Sequence, residues 1–144
     1  MERLRHIGPA VMDERGTITN VFEGRIEHVA VIASRKGSVR GNHYHKTDHQ
    51  YIYLVSGAFE SHSCDVREPA RRQVLHVRPG DIVDTPPFIA HAQKFTVDSV
   101  FLALTTCQRE DGKYESDTIS YSVIEGYINP RLKRDPDLSS REKR

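Results

Sequence analysis

The chain has 144 residues, with 21 Lys+Arg against 20 Asp+Glu and 37% hydrophobic residues. This length fits one domain with a buried core, and the balanced charge argues against a nucleic-acid-binding protein with a basic face. No apolar run reaches the ~20 residues that span a bilayer, and the N-terminus lacks the apolar region of a signal peptide. We therefore expect no nucleic-acid or membrane partner and a cytoplasmic location, where the two cysteines stay reduced.

Short runs with strand-like alternation fill the first 128 residues, and turns rich in glycine and proline separate them. The predicted strands are, in chain order, Ile18–Phe22, Ile26–Ala33, Ser38–His45, Gln50–Val55, Ala58–Cys64, Arg72–Val77, Asp81–Thr85, Gln93–Phe95, Val100–Thr105 and Thr118–Ile124. Turns that recur about every eight to twelve residues are typical of an all-β sandwich or barrel.

The end of the chain, residues 129–144, is dominated by charged residues and proline. A segment with so few apolar residues has little to bury, and chain termini of this composition are commonly unstructured. We therefore expect residues 1–128 to form the single domain and residues 129–144 to be a charged tail, either a short helix or disordered.

Three of the eight histidines lie close together, at His43, His45 and His49. Side chains alternate between the two faces of a strand, so His43 and His45 point to the same face. Joined by a third imidazole, such a pair could hold a divalent metal or carry out acid–base chemistry. The same spacing also occurs on ordinary solvated sheet faces, so the pair alone does not decide between these readings.

The neighbouring residues resemble the first motif of the cupin family, G-x5-H-x-H-x3or4-E-x6-G. Gly37, His43, His45 and Gly57 occupy their positions in register, and Gln50 stands at the acidic position. The stretch after Gly80 is similar to the second cupin motif, with Pro86 and His91 in register and phenylalanines at two other motif positions. This resemblance implies a single cupin-type β-barrel (a jelly-roll), in which the two motifs converge.

In a cupin barrel, three histidines and one further residue could bind a divalent metal such as Zn, Fe, Ni or Mn. The positions that match are His43, His45, Gln50 and His91. A glutamine amide is a neutral ligand and a weaker one than a carboxylate, and Arg40 and Lys46 add positive potential nearby. Such surroundings suit an anionic substrate better than a dication, and the question of a bound metal stays open.

A narrower resemblance concerns Arg40–Lys46, which is similar to the Arg-Gly-x-His-x-His-Lys signature of nucleotide-sugar cupins. These include sugar 3,4-ketoisomerases, dTDP-4-dehydrorhamnose 3,5-epimerase-like proteins and capsular-sugar cupin domains. The ketoisomerases also have glutamine at the position of Gln50. Glu14-Arg15-Gly16 and the Tyr/acid-rich segment 113–118 match further elements of the group.

The resemblance implies an isomerase or epimerase of a nucleotide-linked 4-keto-6-deoxy sugar in surface-polysaccharide or deoxysugar biosynthesis. It would remove the C3 proton and pass through an enediolate, without a required cofactor. His43 and His45 are the predicted catalytic acid and base. Arg40, Lys46, Tyr51 and Tyr53 are the predicted substrate-binding residues, with the nucleotide sugar as the small-molecule partner and a homodimer as the assembly.

Two other functions stay open from the sequence. One is a metal-dependent cupin of different chemistry, such as a dioxygenase or another isomerase, and the other is a non-catalytic sugar-binding cupin. Arg40 and Gln50 favour the nucleotide-sugar enzyme, since redox cupins usually keep the glutamate. The sequence leaves open the nucleotide, the sugar, the choice between isomerisation and epimerisation, and which histidine is the base.

Overall fold

A computed structural model describes residues 1–136 of the chain. It contains thirteen strands and one short helix within that range. In chain order these are β1 (Arg3–His6), β2 (Val11–Asp13), β3 (Gly16–Ile18), β4 (His28–Ser34), β5 (Val39–His45), β6 (Gln50–Ser56), β7 (Phe59–Asp65), β8 (Arg72–Val77), β9 (Asp81–Thr85), β10 (Ile89–Phe95), β11 (Ser99–Thr105), α1 (Lys113–Asp117), β12 (Thr118–Ser120) and β13 (Lys133–Arg134).

The strands form two large sheets and a small hairpin. One sheet has the order β1-β9-β6-β11-β4, the other the order β13-β12-β5-β10-β7-β8, and β2 pairs with β3. Neighbouring strands are antiparallel except β12 and β13, which are parallel. From β4 to β12 the chain passes from one large sheet to the other at each step except β7 to β8, and the expected all-β fold with a cupin-type jelly-roll is confirmed.

The core lies between the two sheets and is built from the inward positions of alternating strands. Phe95 of β10 stacks on Phe101 of β11 with ring centroids 5.7 Å apart, and Phe59 packs against both rings. Aromatic pairs in this geometry contribute about 0.5–1.5 kcal/mol beyond their buried area. The remaining buried members of this core are Ile52, Leu54, Val77, Val83 and Ala103.

Three predicted strands differ from the structure by more than two residues at one end, and the other predicted bounds agree within two residues. The chain leaves the sheet after Ile18, and the ring of Phe22 packs instead against Tyr51 with a centroid distance of 4.6 Å. The strand expected at Gln93–Phe95 begins earlier, at Ile89, because the residues before Gln93 are also buried between β5 and β7.

The strand expected over Thr118–Ile124 ends at Ser120. Beyond that point the amides of Val123 and Ile124 donate to the side-chain oxygen of Asn42, at 2.9 and 3.2 Å, rather than to a strand backbone. A buried asparagine on β5 thus competes with sheet pairing and bends the chain away from the barrel edge.

The segment after Asn129 is described as far as residue 136, and it forms the short strand β13 at Lys133–Arg134, where a short helix or disorder was expected. Leu132 is buried, β13 pairs with β12, and the hydroxyl of Tyr44 donates to a carboxylate oxygen of Asp135 at 2.7 Å. The sequence pattern missed this because one buried leucine and one hydrogen bond leave no periodicity. Residues 137–144 lie outside the described residues, and the domain boundary at residue 128 stays a prediction. No helix in the described range is long and apolar enough to cross a membrane.

Candidate active site

Three histidines meet inside the barrel. His43 and His45 lie on β5, and His91 lies opposite His43 on the adjacent strand β10. The ring of His43 is 4.7 Å from that of His91 and 4.9 Å from that of His45, and the rings of His45 and His91 are 5.9 Å apart. One nitrogen from each ring lies within 4.8 Å of the others. The structure therefore brings together the three histidines that the two motifs single out.

A bulge in β5 sets the direction of these rings. Gly41 and Asn42 both have a left-handed backbone, with φ of 84° and 56°, and the pairing register with β10 shifts at this point. A Cβ on Gly41 would lie 2.7 Å from the carbonyl oxygen of His91, so the close approach of the two strands needs glycine there. Bulges of this kind commonly re-aim a side chain near an active site.

The hydrogen bonds of His45 fix which of its nitrogens carries the proton. Its Nδ1 lies 3.1 Å from the hydroxyl of Thr118, and that hydroxyl donates its proton to the carbonyl oxygen of Tyr114 at 2.5 Å. Because a hydroxyl has only one proton, Thr118 must accept from Nδ1–H of His45. The lone pair is then on Nε2, which is buried and has no hydrogen-bond partner within residues 1–136.

His91 is held in the same tautomer by a different group. Its Nδ1 lies 3.1 Å from the carbonyl oxygen of Ile89, which can only accept, so Nδ1 carries the proton. Nε2 of His91 is again the nitrogen with the lone pair. The backbone thus presents a second imidazole as a proton acceptor beside His45.

All three imidazoles are held neutral. The pKa of His45 is lowered to about 3, chiefly by burial and in smaller part by the neighbouring His91 and Arg109. Burial also lowers the pKa of His43 well below its usual range and lowers that of His91, although Glu2 partly opposes the change for His91. Neutral imidazoles with free lone pairs suit both general-base catalysis and metal binding.

Gln50 faces the same interior from the opposite sheet. It begins β6, is 7% exposed, and lies close enough to His45 to oppose the fall in the pKa of that imidazole. Its Oε1 is buried without a hydrogen-bond partner among the described residues. An unpaired buried oxygen costs about 1–3 kcal/mol, which a ligand hydroxyl or a cation would recover.

Two residues near the triad were missed by the sequence analysis. The ring of Tyr114, on α1, lies 6.3 Å from that of His43 and 6.1 Å from that of His45, and burial raises the pKa of its hydroxyl. The guanidinium of Arg109 lies 4.7 Å from the centre of the Tyr114 ring. The sequence signal was the tyrosine in segment 113–118, but its direction depends on how α1 folds back over the barrel.

Tyr51 and Tyr53 were predicted to bind substrate beside the histidines. In the structure their side chains do not face the histidines of the same chain. Gln50 and every second residue after it on β6 face the interior, so the tyrosines lie on the outer face of that sheet. Tyr51 is packed between Phe22 and His49, and the ring of His49 stacks on it at 4.8 Å. The side chain of His49 is paired with the carboxylate of Asp84.

Arg40 and Lys46 are exposed at either side of the histidine pair. The guanidinium of Arg40 donates to the hydroxyl of Ser34 at 2.7 Å and to the carbonyl oxygen of Ala33 at 3.0 Å. Lys46 lines an open groove of about 550 Å³ along α1, together with Thr47, Cys107, Gln108, Lys113, Ser116 and Asp117. Because Tyr114 points from α1 toward the triad, this groove lies on another face of the helix.

Two packed antiparallel sheets with three converging imidazoles define a cupin-type barrel. No protein-family model matches the chain, and no curated protein sequence matches it. Solved structures do match. The chain is similar to QdtA, a sugar 3,4-ketoisomerase from Thermoanaerobacterium thermosaccharolyticum in complex with TDP, with a TM-score of 0.70, 21% identity and coverage of 84% of this chain and 88% of that one.

Two epimerases are also similar. ChmJ, a 3'-monoepimerase from Streptomyces bikiniensis in complex with dTDP-quinovose, has a TM-score of 0.74 at 17% identity, over 99% of this chain and 86% of that one. The dTDP-4-dehydrorhamnose 3,5-epimerase from Sulfolobus tokodaii has a TM-score of 0.66 at 22% identity, over 94% and 86%. The chain therefore has the cupin-type fold of sugar ketoisomerases and epimerases, as the motifs predicted.

Proposed function

We propose that the protein is an isomerase or epimerase of a nucleotide-linked 4-keto-6-deoxy sugar. The observation that carries the proposal is the buried Nε2 of His45, a lone pair with no partner in the described chain, held in one tautomer by Thr118. The similar solved structures are sugar ketoisomerases and epimerases, which supports this reaction class. Buried acceptors are usually paired, so an unpaired one inside a cavity points to a ligand as its partner.

The proposed reaction begins when Nε2 of His45 accepts the proton from C3 of the sugar. The C–H electron pair forms a C3–C4 double bond, and the carbonyl electrons move to the C4 oxygen, which gives an enediolate. Return of the proton to the opposite face of C3 gives the epimer. Protonation at C4, with loss of the C3 hydroxyl proton, gives the 3-keto sugar. General-base catalysis of this kind contributes about 10²–10⁴-fold in rate.

His43 and Tyr114 are the proposed groups for proton transfer at the sugar oxygens. His43 lies between His45 and His91, and the Tyr114 ring approaches it edge-on at 83°. Burial raises the pKa of the Tyr114 hydroxyl, so it stays protonated and can donate to a sugar oxygen. We assign His43 and Tyr114 to proton transfer at the oxygens, and His45 to the carbon.

Arg40 and Lys46 remain the proposed contacts for the diphosphate. Both are exposed cations, Arg40 on the strand that carries the proposed catalytic pair and Lys46 directly after it, and Lys113 adds a second ammonium to the groove of Lys46. Charged hydrogen bonds contribute about 1.5–3 kcal/mol, so Arg40→Ala should weaken binding of the nucleotide sugar by that amount. Unchanged affinity in isothermal titration calorimetry would remove Arg40 from the binding site.

We also propose a homodimer that forms through the outer face of the sheet that contains β4, β6 and β11. Val29 and Val31 are 59% and 71% exposed, and Leu102 and Tyr53 continue the same row across the neighbouring strands. An apolar row on an exposed sheet face is typical of an interface. Val31→Lys should shift the mass measured by light scattering to that of a monomer, whereas Val74→Lys, on the other sheet, should not.

The experiment that tests the reaction is proton exchange in D₂O with dTDP- and UDP-linked 4-keto-6-deoxyglucose. The wild-type protein should introduce deuterium at C3. His45→Asn keeps size and hydrogen bonding but removes the titratable nitrogen, and it should slow exchange by about 10²–10⁴-fold while nucleotide-sugar binding changes little. His76→Asn, the same change on an exposed strand position, serves as the control.

Binding of the nucleotide sugar without any exchange by the wild type would favour a non-catalytic sugar-binding cupin. Exchange that survives in His45→Asn within a few-fold would require another base, with His43 and then His91 as the next variants. His49 is the less suitable candidate, because its ring lies on the outer side of β6 and is paired with Asp84.

A metal-dependent cupin is the second candidate function. The observation that favours it is the donor set itself, three neutral imidazoles within 4.8 Å and the unpaired Oε1 of Gln50. Metal–nitrogen bonds of about 2.0–2.1 Å place ligands closer together than 4.8 Å, so the rings would have to move inward. A bound divalent ion would polarise the sugar carbonyl as a Lewis acid.

Elemental analysis of untagged protein separates the two candidates. A catalytic ion requires close to one metal per chain and loss of exchange after chelation. Full exchange by protein stripped of metal would leave acid–base catalysis by the imidazoles as the mechanism.

A further inference from the structure

Arg109 places a guanidinium against the ring of Tyr114, near enough to the triad for its charge to act there. It follows β11, and its charge acts on the pKa values of His43, His45 and His91, which no other arginine or lysine does for all three within residues 1–136. Its guanidinium carbon lies 4.7 Å from the centre of the Tyr114 ring, and that ring in turn lies 6.1 Å from the ring of His45. Tyr114 therefore separates a fixed cation from the proposed base by about one ring.

This cation has no ion pair or hydrogen bond in the part of the chain that the structure describes. Its Nε is buried and unpartnered. The carboxylate of Asp48 feels the charge of Arg109, but one of its oxygens already accepts from the Thr106 amide, the Thr106 hydroxyl and the Cys107 amide. A buried, unpaired guanidinium donor is costly, and binding an anion is the usual way in which that cost is recovered.

We propose that Arg109 is a catalytic residue that binds the oxyanion formed on the sugar when the C3 proton is removed. The proposal rests on the proposed function and adds a residue to it. As the C–H pair moves into the C3–C4 bond, the carbonyl electrons become a full negative charge on oxygen, and a guanidinium N–H donates to that oxygen. When the proton returns to carbon, the charge and the hydrogen bond both weaken.

The position of Arg109 differs from that of the other cations considered for the site. The guanidinium of Arg40 is held at the surface by Ser34, and Lys46 lies in the groove along α1. Those side chains suit the diphosphate, which is charged before and after the reaction. Arg109 contacts Tyr114, the ring that lies beside His43 and His45, and a donor whose partner gains charge only in the transition state accelerates the chemical step.

The kinetic test compares Arg109→Met, Arg109→Lys and Arg78→Met, the last being an exposed arginine at the β8–β9 turn. With dTDP-4-keto-6-deoxyglucose, Arg109→Met should lower the rate of C3 exchange about 10²–10³-fold, with the Kd for dTDP within about threefold of wild type. Arg109→Lys should recover part of the rate, and Arg78→Met should match wild type. Thermal unfolding of each variant verifies that it is folded.

Two kinetic outcomes would overturn the proposal. One is an Arg109→Met exchange rate within about threefold of wild type. The other is a loss that appears only as weaker binding of substrate and dTDP, which would assign Arg109 to the diphosphate instead. Partial recovery in Arg109→Lys counts against a purely structural role, because lysine does not reproduce the planar contact with Tyr114.

A second measurement does not depend on the proposed reaction. The Nε–H signal of Arg109 can be identified in ¹H–¹⁵N spectra by its loss in Arg109→Lys, and inorganic phosphate serves as the oxyanion. A saturable shift of this signal is expected, and no shift would overturn anion binding by Arg109. If the wild type shows no C3 exchange, the proposed function fails, and this titration alone decides whether Arg109 binds anions.

Discussion

Acid should destabilise this protein in a way that can be traced to His45. Burial lowers the pKa of this imidazole to about 3 from an ordinary value of 6.5. Between those values the unfolded chain binds the proton and the folded chain does not, so the free energy of unfolding rises with pH and is lost as pH falls below 6.5. From pH 6.5 to pH 5.0 the expected loss is about 2 kcal/mol for one such histidine.

Urea unfolding at several pH values between 5.0 and 6.5 measures this loss while most carboxylates stay ionised. His45→Asn should lose about 2 kcal/mol less than wild type over that range, whatever its own stability at pH 6.5. His76→Asn, at an exposed position of β8, should follow the wild-type slope. Parallel slopes for wild type and His45→Asn would refute the neutral, buried imidazole on which the proposed base depends.

Two further substitutions test local contacts of the fold. Thr118→Val leaves Nδ1–H of His45 and the carbonyl of Tyr114 unpaired, so urea unfolding should show a loss of about 2–5 kcal/mol, whereas Thr118→Ser should stay near wild type. Gly57→Ala puts a Cβ 2.6 Å from a carbonyl oxygen at φ +97°, and Gly37→Ala meets nothing within 4 Å at φ +86°. Gly57→Ala should lower the free energy of unfolding by at least about 2 kcal/mol more than Gly37→Ala. Equal losses would mean that the neighbouring strand can shift to admit the Cβ without loss of stability.

The triad could be predicted from sequence because each part depends on local rules. Strand alternation places His43 and His45 on one face, and the two motifs bring Gln50 and His91 to the same place. These relations survive the bulge at Gly41 because the extra residue lies before the pair and moves both histidines together.

The rest of the site depends on tertiary packing, which local rules do not contain. The run from Tyr51 to Val55 has apolar or aromatic residues on both faces, so either face could have been the inner one. Tyr114 lies beside the triad, with Arg109 against its ring, only because the chain turns back over the barrel after β11. The partner that fixes the tautomer of His45 comes from Thr118, which is 73 residues further along the chain.

The hydrogen bond between Tyr44 and Asp135 has a practical consequence for anyone who shortens this protein. Tyr44 lies between the two histidines of β5 in sequence. Its hydroxyl donates a hydrogen bond to Asp135, in the segment that follows Asn129. A chain cut at residue 128, where the composition changes, would lose β13 and turn β12 into an open edge able to recruit strands from other molecules. Truncation at the apparent domain boundary would therefore be expected to yield aggregation and a loosened β5, and affinity tags are better placed beyond residue 136.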